Sequence, residues 1–108
     1  MQALLLRWKI SRIARSAARQ IRARGVKCSV WWFGAYYLDP KHLVFVVCVD
    51  LDEQRDKLRS DKSVASSLNE LLAKFNWPSA ARPNVVFDIE SHETVQRENG
   101  GNWWYHYK

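Results

Sequence analysis

The sequence predicts a single α+β domain over residues 1–108: a single-layer, mostly antiparallel sheet of about four strands with two main helices on one face, in the order α-β-β-α-β-α-β. Three observations predict it. A long amphipathic segment opens the chain. Two apolar stretches with strand alternation follow, Val26 to Tyr37 and Leu43 to Asp50. Two tryptophan pairs, Trp31-Trp32 and Trp103-Trp104, stand in stretches that alternate in the same way. Neighbouring side chains of a strand point to opposite faces, so each pair puts one indole on either side of the sheet. An indole is costly to leave in water, so both faces need cover. A chain of 108 residues has material for one core and not for two.

The first segment, roughly Ala3 to Arg24, reads as a helix. Leu6, Ile10, Ile13, Ala17 and Ile21 share one face, with Ala14 alongside, and the spacing is that of a helix packed on a core. Arg12, Arg15, Arg19 and Arg22 line the opposite face with Lys9 and Trp8 beside them, and Gly25 supplies the stop. Before Asp39 the chain holds eight basic residues and no carboxylate; from Asp39 on it holds nine basic and eleven acidic ones. The net charge of +6 therefore belongs to one element. A localised positive stripe points to an acidic partner, a nucleic acid or an anionic membrane surface, while the acidic remainder opposes wrapping by a polyanion. The plain alternative is a solvated outer face. An Arg-rich, acid-free beginning also has the composition of a mitochondrial presequence. Against that, the isoleucines are needed to cover the sheet.

Val26 to Tyr37 and Leu43 to Asp50 read as a hairpin around Leu38-Asp39-Pro40-Lys41, where proline pre-sets a turn. Both faces of both strands are apolar, as expected for strands in the middle of a sheet covered twice. Asp50 or Asp52 is a candidate cap for a short turn over Glu53 to Leu58. After Ser60-Asp61 a helix follows on Val64, Leu68, Leu71, Leu72 and Phe75, ended by Asn76-Trp77-Pro78. Asn84 to Glu90 reads as the third strand. Ser91 caps one or two helical turns through Val95 to Glu98, and Asn99-Gly100-Gly101 releases a last strand, Asn102 to Tyr107. Two helices cover one face of such a sheet. The other is left to aromatic side chains, a short helix, a second copy in a homodimer, or another protein.

Chemistry-bearing residues are few. The register expected from the turn sets Cys28 and Cys48 several residues apart, too far for a disulfide, and two reduced cysteines fit a cytoplasmic protein. Those cysteines with His42, His92 and His106 do not supply the ligand spacing of zinc, and no cofactor motif is present: Gly100-Gly101 precedes a strand, whereas phosphate-binding glycines open a helix. Glu90, His92, Glu93 and His106 stand near the end of the third strand, where a carboxylate and an imidazole can form an acid–base pair. The plainer reading of Glu93 is a helix N-terminal charge with Arg97 as its ion-pair partner. The longest apolar runs, such as Leu43 to Val49, fall far short of the roughly 20 residues that span a membrane. The expectation is a non-enzymatic binding protein with no membrane span.

The tail carries a family likeness. Val85-Val86-Phe87-Asp88-Ile89-Glu90-Ser91, then Glu93-Thr94-Val95, Arg97 and Gly100-Gly101-Asn102-Trp103-Trp104-Tyr105, resembles the end of small bacterial immunity proteins that accompany contact-dependent or polymorphic toxins. The resemblance implies a cytoplasmic protein that binds and neutralises a cognate toxin domain by protein–protein contact. Aromatic residues dominate interface hot spots and a charged helix steers encounter. The expected partner-binding residues are accordingly Trp8, Arg12, Arg15, Arg19 and Arg22 toward an acidic partner, with Glu93, Trp104 and His106 around the tail. The alternative is a nucleic-acid-binding module in which the same arginines meet phosphates and an exposed Trp or Tyr stacks on bases.

Overall fold

The computed structural model describes residues 3–108. Helix α1 (Ala3–Arg22) buries Leu6, Ile10, Ile13, Ala14, Ala17, Ala18 and Ile21, the stripe expected from the spacing. Gly25, at φ 82°, turns the chain into β1 (Cys28–Phe33), which pairs antiparallel with β2 (Val44–Val49). Two helices follow, α2 (Asp52–Ser60) and α3 (Lys62–Lys74), and then β3 (Val86–Ser91), which lies parallel to β2. The chain closes with α4 (His92–Asn99) and α5 (Trp103–His106). The class is α+β as expected, but the sheet is mixed rather than mostly antiparallel, three strands in the order β1-β2-β3, because α2 and α3 together carry the chain back so that β3 runs parallel to β2.

Three further expectations are corrected. The first strand stops at Phe33, four residues before Tyr37, because Gly34 adopts φ 119° and the His42 carbonyl closes on it: a Cβ there would lie 2.3 Å from that oxygen. Ala35 to Asp39 then form a turn, with the Leu38 and Asp39 N–H groups donating to the Ala35 carbonyl. The second correction follows from the first. Cys28 pairs with Val49 and Ser29 with Cys48, so the cysteines sit one position apart, on opposite faces of the sheet, and both are free thiols. Third, the last predicted strand is the short helix α5. Asn102 caps it, its side chain accepting from the Tyr105 N–H at 2.9 Å, and one helical turn puts Trp103 and Tyr107 on the same side.

One sheet face presents Cys28, Phe45, Val47, Val49 and Ile89 to α1 and α3. This is the main core. Trp77 anchors its edge: fully buried, it donates Nε1–H to the Pro40 carbonyl at 3.1 Å, and so ties the end of α3 to the β1–β2 connection. The other face presents Trp31, Phe33, Val46, Cys48, Asp88 and Glu90. The chain covers it itself. Trp103 meets Trp31 edge-on at 6.1 Å and Tyr107 meets Trp31 at 5.6 Å, while α2 lays two arginines across the carboxylates. Trp31, Trp32 and Trp103 are half-buried, and Trp104 alone of the two pairs is exposed. Among the described residues no helix is long and apolar enough to cross a membrane.

Candidate partner-binding surface

The outer face of α1 joins the end of α3. Arg12 lays its guanidinium 5.2 Å from the centre of the Trp8 ring and 5.8 Å from that of Phe75, within the range of cation–π attraction. With Arg15, Ser16, Arg19 and Lys74, the same Arg12 and Phe75 line a cleft of about 330 Å³. Trp8 is 57% exposed, and Leu4 and Leu5 extend the apolar edge of this surface. Among the described residues no carboxylate lies within ion-pair distance of Arg7, Arg12, Arg15, Arg19 or Lys74. Every other arginine with a described partner is tied down. Arg24 pairs with Asp61 at 3.2 Å, and Arg22, although on the predicted stripe, donates to the Cys28 carbonyl at 2.9 Å. Lys74 and Phe75 complete the surface but were not legible as part of it, since their nearness to Arg12 depends on how α3 packs on α1.

The structure does not bring Glu93, Trp104 and His106 together with that face or with one another. Trp104 and Tyr105 are exposed, with the Lys108 ammonium 5.1 and 5.2 Å from their rings. Glu93 caps α2, its Oε1 accepting the Asp52 N–H at 2.8 Å. Neither Asp50 nor Asp52 takes the capping position expected of them: Leu51 does, with its N–H donated to Gln54 Oε1 at 3.1 Å. The predicted Glu93–Arg97 pair is replaced by Arg97–Asp52 at 3.0 Å, because α4 lies across the start of α2.

His106 turns inward. Its Nε2 lies 2.9 Å from Glu90 Oε2 and its Nδ1 2.8 Å from Asn99 Oδ1. Glu90, only 6% exposed, also takes Arg55 at 2.8 Å and the Ser91 N–H at 2.8 Å. Burial raises its pKa, but Arg55, the Ser91 N–H and His106 outweigh that and hold the carboxyl below its ordinary value. Asp52 is held well below the usual carboxylate range by hydrogen bonds from Ser91 and Thr94, then by Arg97. Burial, and then the hydrogen bond it donates to Asp88 at 2.5 Å, push the Tyr107 hydroxyl far up. The acid–base pair seen in the sequence therefore forms geometrically, with both partners saturated by protein contacts. His92 stands apart from it and accepts from Trp103 Nε1–H at 3.3 Å.

Protein-family models, curated proteins and solved structures were all compared with the chain, and none matches it.

Proposed function

We propose that the chain is a protein-binding module, an immunity protein that neutralises a cognate bacterial toxin domain by presenting the α1 face to an acidic patch on it. The observation that carries this reading is the unneutralised cluster of Arg12, Arg15, Arg19 and Lys74 around two aromatic rings. Arg24, Arg55, Arg59 and Arg97 pair with carboxylates at 2.8–3.7 Å; here cations and exposed indole share one surface, as in interface hot spots. The likeness of the tail to immunity proteins names the partner class, and the Glu90–His106 pair is read as structural.

The test is co-expression with the variable end of any large secreted protein found encoded next to this chain. Restored growth and a co-eluting complex are expected, with the Arg15→Glu, Arg19→Glu double variant slowing association by about tenfold or more. Continued growth arrest with no complex removes the reading. A second reading draws on the same cleft, because guanidinium groups beside aromatic rings also suit phosphates and bases. It requires binding of single-stranded or duplex nucleic acid that falls steeply with salt and is lost in the double variant.

A further inference from the structure

Helix α5 is weakly anchored. None of its residues is buried, whereas α4 before it buries Thr94 and Val95, and a helix of one turn has no stability of its own. The end of α4 is closed by its own glycines. The Gly100 and Gly101 N–H groups donate back to the Gln96 and Val95 carbonyls at 3.1 and 3.0 Å, the closure that a left-handed residue gives a helix end. Both glycines have positive φ, 59° and 84°, so the chain passes from α4 to α5 through a joint with wide backbone freedom.

Three side chains hold the segment down. Trp103 Nε1–H donates to His92 Nδ1 at 3.3 Å, His106 lies between Asn99 Oδ1 and Glu90 Oε2, and the Tyr107 hydroxyl donates to Asp88 at 2.5 Å. Beneath them are Trp31 and Phe33, whose rings meet Tyr107 at 5.6 and 5.5 Å. Trp31 in turn covers Cys48, whose Sγ accepts its Nε1–H at 2.7 Å. The fit is incomplete, for a cleft of about 190 Å³ remains among Trp31, Phe33, Trp104, Tyr107 and Lys108. Few buried contacts mark the parts of a protein that open before the whole unfolds. Opening here strands no charge: when His106 and Tyr107 leave, Glu90 keeps Arg55 at 2.8 Å and Asp88 keeps Arg59 at 3.3 Å, so the large cost of an unpaired buried carboxylate is not incurred.

We infer that residues 102–108 are a strap that lifts on the Gly100-Gly101 joint while the rest of the fold stays closed. Closed, the strap withholds Trp31 and Phe33; open, it uncovers them and frees Trp103 and Tyr107. The molecule thus carries a second aromatic surface, gated by its own chain and lying on the sheet face opposite α1. The inference does not depend on what the α1 face binds.

Pulse alkylation of the full chain, read by peptide mass spectrometry, follows Cys48. Global opening is followed in parallel through exchange of the Trp77 indole proton, which is held by the Pro40 carbonyl in the main core. Cys48 is expected to react at least about tenfold faster than global opening permits, and at a rate that barely moves in about 1 M urea, which speeds global opening by about fivefold or more. Tyr107→Phe keeps the ring and removes the bond to Asp88, so it speeds Cys48 by about three- to tenfold. Leu68→Ala opens a cavity in the main core, remote from the strap; it speeds Trp77 exchange by about thirtyfold or more and leaves the Cys48 rate unchanged. Ile13→Val, milder and also in the core, replaces it should that chain fail to fold. A Cys48 rate that follows urea or the core variant as Trp77 exchange does means that only the whole molecule opens, and overturns the proposal. A Cys48 rate untouched by Tyr107→Phe assigns the opening to another element and overturns it as well.

Discussion

Replacing Glu90 tests what holds the second sheet face together. Glu90 sits at 7% side-chain exposure, with Arg55 and His106 each at 14%, and it accepts from both at 2.8 and 2.9 Å. Glu90→Ala removes the acceptor and leaves two desolvated donors facing each other. Breaking one side of a buried pair costs about 3–5 kcal/mol, a large share of the roughly 5–15 kcal/mol by which a domain of this size is stable. Glu90→Gln keeps the shape and one acceptor, so its expected cost is smaller, about 1–3 kcal/mol. Urea unfolding followed by tryptophan fluorescence reads both, and Trp31 and Trp103, which pack over the same face, report it directly. The pH dependence has a definite sign. A carboxyl whose pKa is depressed on folding contributes stability that is fully present above its unfolded value and lost as pH falls through the folded one. Glu90 and Asp52 are both depressed. The contribution of these two carboxyls is therefore fully present above their unfolded values and is lost below about pH 4, and Glu90→Gln loses less in that acid range. A Glu90→Ala protein within 1 kcal/mol of wild type, or a Glu90→Gln acid limb as steep as wild type, would refute the view of Glu90 as the hub of this face.

Three further outcomes follow from particular contacts. Gly34→Ala places a Cβ 2.3 Å from the His42 carbonyl at φ 119°, so it lowers stability by about 2 kcal/mol or more in thermal unfolding. Trp103→Ala costs about 2–4 kcal/mol because its ring packs on Trp31, whereas Trp104→Ala, at 69% exposure, stays within about 0.5 kcal/mol; the same pair of variants compared in partner binding shows which indole is at an interface. Cys28 and Cys48 both have raised pKa values, burial being the main cause. Thiol titration with an aromatic disulfide at neutral pH therefore proceeds slowly in native protein and fast in denaturant.

Long periodic elements were legible from sequence because burial itself imposes the period. The isoleucine stripe of α1, the leucine stripe of α3, the apolar β2 and the Ser91 cap, which accepts from the Thr94 N–H at 3.1 Å, all stand as read. The tail was not legible, since over so short a run Trp103, Tyr105 and Tyr107 satisfy strand alternation while Trp103 and Tyr107 also satisfy a helical turn. A single side chain, Asn102, decides between them locally. The hairpin register escaped for a related reason: counting outward from Pro40 assumes a tight turn, whereas Gly34 and the Ala35–Asp39 turn make the connection longer. The cationic surface was half visible. Its arginines were evident as a stripe, but that Arg22 is occupied by a backbone carbonyl and that Lys74 and Phe75 belong to the face are facts of packing between distant segments. Glu90 stood among the candidates for chemistry, and nothing local marks its pairing with Arg55.

The parallel partnership of β2 and β3 has a consequence for how the chain is made. β1 and β2 emerge together and can pair at once, but β2 must wait for the whole of α2 and α3 before its second neighbour exists, and contacts of such sequence separation are slow to close. Through that interval Val46 and Cys48 lack their cover, and they lack it still longer on the side of α5, which is synthesised after all three strands. A half-made chain therefore exposes a strand edge and an aromatic face at the same time, the combination on which newly made proteins aggregate and to which chaperones bind.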